Sequence, residues 1–217
     1  MPPGTAARFS LASLTGLILL PLHAAAPSFR NDVMAVISKA GCNAGTCHGN
    51  KNGKGDLRLS LRGQDPGQDH ETLTRDAIGR RINALDPDQS LILLKPTSQV
   101  AHEGGRRFSN DSIEYQILLD WIRTGLPNDV ASAPRLKELV VTPSDTILVE
   151  PESRIQLSVR AHFSDGATRD VTELTVYDVS SSLAKVTQGG LVERVGFGEA
   201  AILARYLDQQ KPVRIAF

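Results

Sequence analysis

The chain holds only two cysteines, Cys42 and Cys47, separated by four residues, and His48 follows the second directly. Two thiols with an imidazole at the next position are the groups that covalent haem attachment needs. The thiols add to the vinyl groups as thioethers, and the histidine reaches the iron from one face. The usual spacing between the cysteines is two residues. Here small, flexible Asn43, Ala44, Gly45 and Thr46 let a longer loop bulge while the sulfurs keep their positions. Two other chemistries stay open at this stage. Cys42 and Cys47 can close a local disulfide in an oxidising compartment, or join a zinc site with two ligands drawn from His48, His70 or His102.

A haem iron has a second axial position. Beyond the export segment described below, Met34 is the one remaining methionine, and it lies on the helix leading into Cys42, where it packs in a core. His102, in Val100-Ala101-His102-Glu103-Gly104-Gly105, is the candidate distal ligand. His70, between Asp69 and Glu71, reads as a solvated side chain, and His162 as structural. Among the basic residues of the loops, Arg106, Arg107, Lys51, Lys54, Arg58 and Lys95 are candidates to pair with haem propionates.

These groups need elements to hold them. Phe29, Val33, Val36 and Ile37 recur at helical spacing, and Gly41 stops that helix just before Cys42. A second short helix is expected over Glu71 to Ala84, and the clearest one over Ser112 to Thr124, with Ile113, Ile117, Leu118, Trp121 and Ile122 on one face and Gly125 and Pro127 closing it. The glycine-rich stretches from Gly49 to Gly67 and from Pro96 to Phe108 are too long for mere connectors and are expected to wrap a ligand. Pro127 to Pro134 reads as a linker. Beyond it, short apolar runs punctuated by turns at intervals of about ten residues indicate an antiparallel β-sandwich.

The expected architecture is therefore two-domain. Residues 1–26 form an export signal, with Arg8, the apolar run Leu11 to Leu22 and cleavage after Ala26. A mainly α, cytochrome c-like haem domain follows over 27–128, then a linker over 129–135 and an all-β, immunoglobulin-like sandwich over 136–217. No second apolar stretch reaches spanning length, so no transmembrane domain is expected after signal cleavage. Lys plus Arg number 24 against 24 Asp plus Glu, and a net charge of zero argues against nucleic acid as a partner.

With these residues in view, the first part resembles the planctomycete-type cytochrome c domains of large exported bacterial proteins. The resemblance rests on Gly41-Cys42-Asn43-Ala44-Gly45-Thr46-Cys47-His48-Gly49, Gly53-Lys54-Gly55, Leu59-Ser60-Leu61-Arg62-Gly63, Gly79-Arg80-Arg81, Leu94-Lys95-Pro96-Thr97 and His102-Glu103-Gly104-Gly105. The four-residue spacing is that family's own pattern. The second part is similar to bacterial Ig-like group 2 modules through Leu139-Val140-Val141-Thr142-Pro143, Phe163-Ser164-Asp165-Gly166 and Arg169-Asp170-Val171-Thr172. Relatives of this kind continue into further domains, so a fragment or truncated version is expected at Phe217.

Together these readings imply one haem c per chain, held by Cys42 and Cys47 with His48 on the iron and His102 opposite. The protein is expected in the periplasm or elsewhere in the cell envelope, exchanging electrons with an unidentified redox partner, and not acting as an enzyme. The Ig-like part is expected to take a protein or carbohydrate ligand. Two rivals stand beside electron transfer: a haem-based sensor of small ligands, and a surface or adhesion protein whose two cysteines are disulfide-bonded.

Overall fold

A computed structural model describes residues 26–217, so the expected export segment lies outside the described residues apart from Ala26. Ser28 opens the first helix. Its hydroxyl accepts from the Asn31 N–H at 3.0 Å, and its own N–H donates to Asp32 Oδ2 at 2.8 Å, reciprocal capping of the first turn. A wide π-type turn over Phe29–Val33 runs straight into α1, Met34–Lys39, burying Phe29, Val33, Val36 and Ile37. Gly41 ends it in the left-handed region, φ +73°. The Cys42 N–H then bonds the Ile37 carbonyl and the Gly41 N–H the Ser38 carbonyl, each at 3.0 Å, the paired bonds of a Schellman cap.

Helix α2, Pro66–Thr74, starts on the Asp65 cap with proline at its first position. It therefore begins and ends earlier than the expected 71–84 segment, and only a short 3₁₀ turn, Asp76–Gly79, follows. α3 is a single turn, Leu91–Leu94, and α4, Ile113–Arg123, is the longest helix at 11 residues. Ser112 caps α4, and Gly125 closes it with the Leu126 N–H on the Trp121 carbonyl at 3.0 Å.

The expected mainly α domain is not what forms. The described residues are 25% helical and 26% strand, a sheet-rich fold with few helices. Glycines at positive φ (Gly41, Gly53, Gly55, Gly63 and Gly79) interrupt the helical pattern, and the backbone between them closes in turns.

The second half builds three hydrogen-bonded sheets from ten strands rather than the two layers of a simple sandwich. One joins β1 (Leu136–Thr142), β4 (Ser158–Phe163) and β5 (Thr168–Asp170). A second joins β2 (Thr146–Ile147), β10 (Gln209–Ala216), β9 (Glu199–Tyr206) and β6 (Val176–Val179), with β2 parallel to β10. A third joins β3 (Arg154–Gln156), β8 (Leu191–Arg194) and β7 (Ala184–Val186). Burial alternates along β9, where Ala200, Ile202, Ala204 and Tyr206 point inward, and along β4 through Val159, Ala161 and Phe163.

The first helix is held by the second half. Lys39 Nζ donates to the carbonyls of Thr175 at 3.1 Å and Gln188 at 2.6 Å. The buried Tyr206 hydroxyl donates to the Asn31 carbonyl at 2.8 Å, and Asp32 pairs with Arg169. The 129–135 segment, expected as a free linker, is tied down as well. Asp129 accepts from the Arg30 N–H at 3.0 Å, the Val130 carbonyl from the Arg30 guanidinium at 2.9 Å, and the Pro134 carbonyl from Asn31 Nδ2 at 2.9 Å.

Candidate functional site

The Schellman cap at Gly41 turns the chain sharply and delivers Cys42 against the end of α1. From there Ala44 bonds back to the Gly41 carbonyl at 3.2 Å, and Cys47 and Gly49 both donate to the Ala44 carbonyl, at 2.9 and 3.0 Å. The His48 N–H reaches the Cys42 carbonyl at 2.9 Å, so the four-residue spacer folds into a closed turn that brings the second thiol back beside the first. Gly49 is required by this closure. A Cβ there would lie 2.0 Å from the Asn43 carbonyl oxygen.

Both thiols are free, and both line a cavity of about 510 Å³. That volume falls in the range of small-molecule and cofactor sites. Ile37, Leu57, Leu59, Leu73 and Ile92 supply apolar walls; His48, His102, Lys54, Arg80, Arg81 and Lys95 supply polar ones. Burial pushes the Cys42 thiol up to about 11, with Arg107 partly opposing it. Arg107 also donates to Cys47 Sγ at 3.7 Å.

The two histidines share one feature of ligands. His48 Nδ1 faces the carbonyls of Lys54 at 3.0 Å and Leu57 at 3.2 Å, and His102 Nδ1 faces that of Gly105 at 2.9 Å. A carbonyl only accepts, so in each ring the proton sits on Nδ1 and the Nε2 lone pair is left to bind. Burial moves His48 below the ordinary imidazole range, partly opposed by the Lys54 and Leu57 carbonyls and aided by His102 and Arg81, which favours the neutral, ligating form. Gly104 leaves room for the His102 ring, since a Cβ there would come within 2.9 Å of its Cε1.

The structure separates the remaining candidates. Lys54 and Lys95 line the cavity, whereas Lys51, Arg58 and Arg106 do not, and Lys54 is already paired with Glu103 at 2.7 Å. His70 is not solvated. It is buried, its Nε2 donates to the Leu126 carbonyl at 3.1 Å, and its ring packs edge-on against Phe29 and Trp121. Met34 is buried and absent from the cavity wall. The residues that sequence reasoning missed are Arg80 and Arg81, present in a quoted motif but not weighed as charges.

The apolar walls, thiols and imidazoles of the cavity are groups that could hold a haem. A flat porphyrin wants apolar walls, brings four of its own donors to the iron and asks the protein for at most two. Structural zinc asks for four protein ligands, and among the described residues no group of three His, Cys, Asp or Glu side chains comes together as a metal site. No helix among the described residues is long and apolar enough to cross a membrane. Comparison with protein-family models finds none that matches the chain, and a search of curated proteins finds no relative.

Proposed function

We propose that this protein carries one haem, bound through thioethers to Cys42 and Cys47 and through its iron to His48, and that it acts as an exported electron carrier. The supporting observation is convergence: two thiols and two imidazoles, each imidazole with its Nδ1 proton engaged and its Nε2 lone pair free, line one apolar-walled cavity. Bound haem supplies one-electron exchange between ferric and ferrous iron. The chain's own residues do the rest. The closed turn from Gly41 to Gly49 presets the two sulfurs, the Lys54 and Leu57 carbonyls orient His48, and Leu57, Leu59, Leu73 and Ile92 keep water from the ring.

His102 is the proposed second axial ligand. Its loop gives the sensing alternative its one supporting observation, because His102 is held by a single backbone hydrogen bond between exposed neighbours and can leave an iron at little cost. Expression of the full chain with a cytochrome c maturation system tests the main reading. Mass spectrometry should show one haem added to the polypeptide, surviving acid and organic extraction. Haem that washes out, or a Cys42–Cys47 disulfide in its place, overturns it. Carbon monoxide binding to the reduced parent protein would favour the sensor over the carrier.

A further inference from the structure

Arg81 is 8% exposed, yet no carboxylate lies within ion-pair distance of it among the described residues. Its guanidinium is held by three backbone carbonyls: Thr72 at 2.9 Å and Asp76 at 3.2 Å on Nη1, and Asp56 at 2.5 Å on Nη2. Those contacts clamp the loop before Leu57, helix α2 and the following turn around one cation. They do not neutralise it, and a buried charge without a counter-ion is costly. The guanidinium carries further donors on Nε and Nη2, adjoining nitrogens whose hydrogens grip a carboxylate with two parallel bonds.

The rest of the wall has the same sign. Lys54, Arg80, Arg81 and Lys95 line the cavity against Asp56 and Glu103, four cations to two anions, and Glu103 is already taken by Lys54. A cavity lined by apolar side chains and by more cations than anions suits a flat hydrophobic ligand that carries carboxylates.

We propose that Arg81 is the fixed counter-ion of a carboxylate on the ligand of this cavity, a haem propionate, so that the ligand itself completes the charge balance of the fold. This rests on the haem reading above and adds a residue that would hold the carboxylates of that ligand.

The test needs a porphyrin that cannot form thioethers. Mesohaem carries ethyl groups in place of vinyls, and its dimethyl ester differs only in lacking the two carboxylates. Absorbance titration of each into the full chain, produced without haem, gives the ratio of their dissociation constants. The parent should prefer mesohaem over the ester by roughly 10- to 100-fold, the scale of one hydrogen-bonded charge pair. Arg81→Gln should bring the ratio close to one. A purely structural role weakens both porphyrins alike and leaves the ratio at its parent value, which overturns the proposal. Should Arg81→Gln fail to give a folded circular dichroism spectrum, Arg81→Lys keeps the cation without the three-carbonyl clamp. A folded lysine variant must retain a preference for the free acid, and one that loses it counts against Arg81. A parent that binds both porphyrins equally overturns the counter-ion with the haem reading intact. A parent that binds neither overturns both.

Discussion

Two hollows among the described residues differ in kind, and the larger of the pair is the less chemical. A cleft of about 790 Å³ lies between the halves, bordered by Asp32 and Ile117 from the helical side and by Gln156, Arg169, Thr172 and Glu173 from the β side. Its prominent buried charge, Asp32, is matched by Arg169, and Asp170 is spent on the Thr172 backbone. The cavity of about 510 Å³ is the reverse: it holds two free thiols, two imidazoles with open nitrogens and a buried cation that no carboxylate matches. The buried charge of the cleft is paired, while the cavity keeps two free thiols and a buried cation without a carboxylate partner. What marks a site is unmet chemistry, not volume.

The sharpest break in that comparison comes from the sulfurs. Cys42→Ser with Cys47→Ser should abolish covalent haem on a haem-stained denaturing gel, while Gln156→Ala with Glu173→Gln in the cleft should leave the stain at parent intensity. Next is the iron. His102→Ala should convert a low-spin ferric spectrum to a high-spin one and admit carbon monoxide after reduction, with haem still attached. His70→Ala should leave the spectrum unchanged and instead lower stability by about 1–3 kcal/mol in urea denaturation, because it strands the Leu126 carbonyl and empties part of the Phe29–Trp121 cluster. If the His102 variant matches the parent spectrum, the distal assignment fails. Smaller again is Arg169→Gln, which removes a partly exposed partner of Asp32 and should cost about 1 kcal/mol, less at high salt. Loss of haem in that variant would blur the distinction between cleft and site, since the helix bearing Asp32 also leads into Cys42.

How much of this was legible beforehand varied with the range of the interaction. The helix stop at Gly41, the Ser112 cap and the Gly125 closure are local, set by residues within one turn, and they lie where periodicity and capping chemistry put them. Asp65-Pro66 is an equally local start signal, and α2 begins there rather than at the expected Glu71. The mainly α expectation failed because the helices are short and few, and the described residues hold as much strand as helix. Arg81 was unreadable for a different reason. Its acceptors Asp56, Thr72 and Asp76 are separated along the chain, and only the folded loops make one pocket of them. His70 misled through its charged neighbours, Asp69 and Glu71, although helical rotation buries Asp69 and His70 and leaves Glu71 in solvent.

The smallest expected effect concerns buried Asp69, which contrasts with Asp32 in its partners. Asp32 has a guanidinium. Asp69, fully buried, has neutral donors: the Ser60 N–H and the Ser60 hydroxyl, each at 2.6 Å. Burial raises its carboxyl above the ordinary value near 3.8, with the Ser60 bonds only partly offsetting it. A raised carboxyl binds its proton more tightly folded than unfolded, so its contribution to stability is fully present below pH 3.8 and is lost as pH rises through the folded value. Urea denaturation of the full chain across the acidic range should therefore show a component of stability that declines with rising pH in that window, superimposed on the titration of the other carboxyls. Asp69→Asn keeps an acceptor for the Ser60 N–H and removes the titration, so the difference between variant and parent should vary with pH there and be constant at neutral pH. A pH-independent difference for Asp69→Asn would mean that the two Ser60 bonds fully offset the burial of its carboxyl.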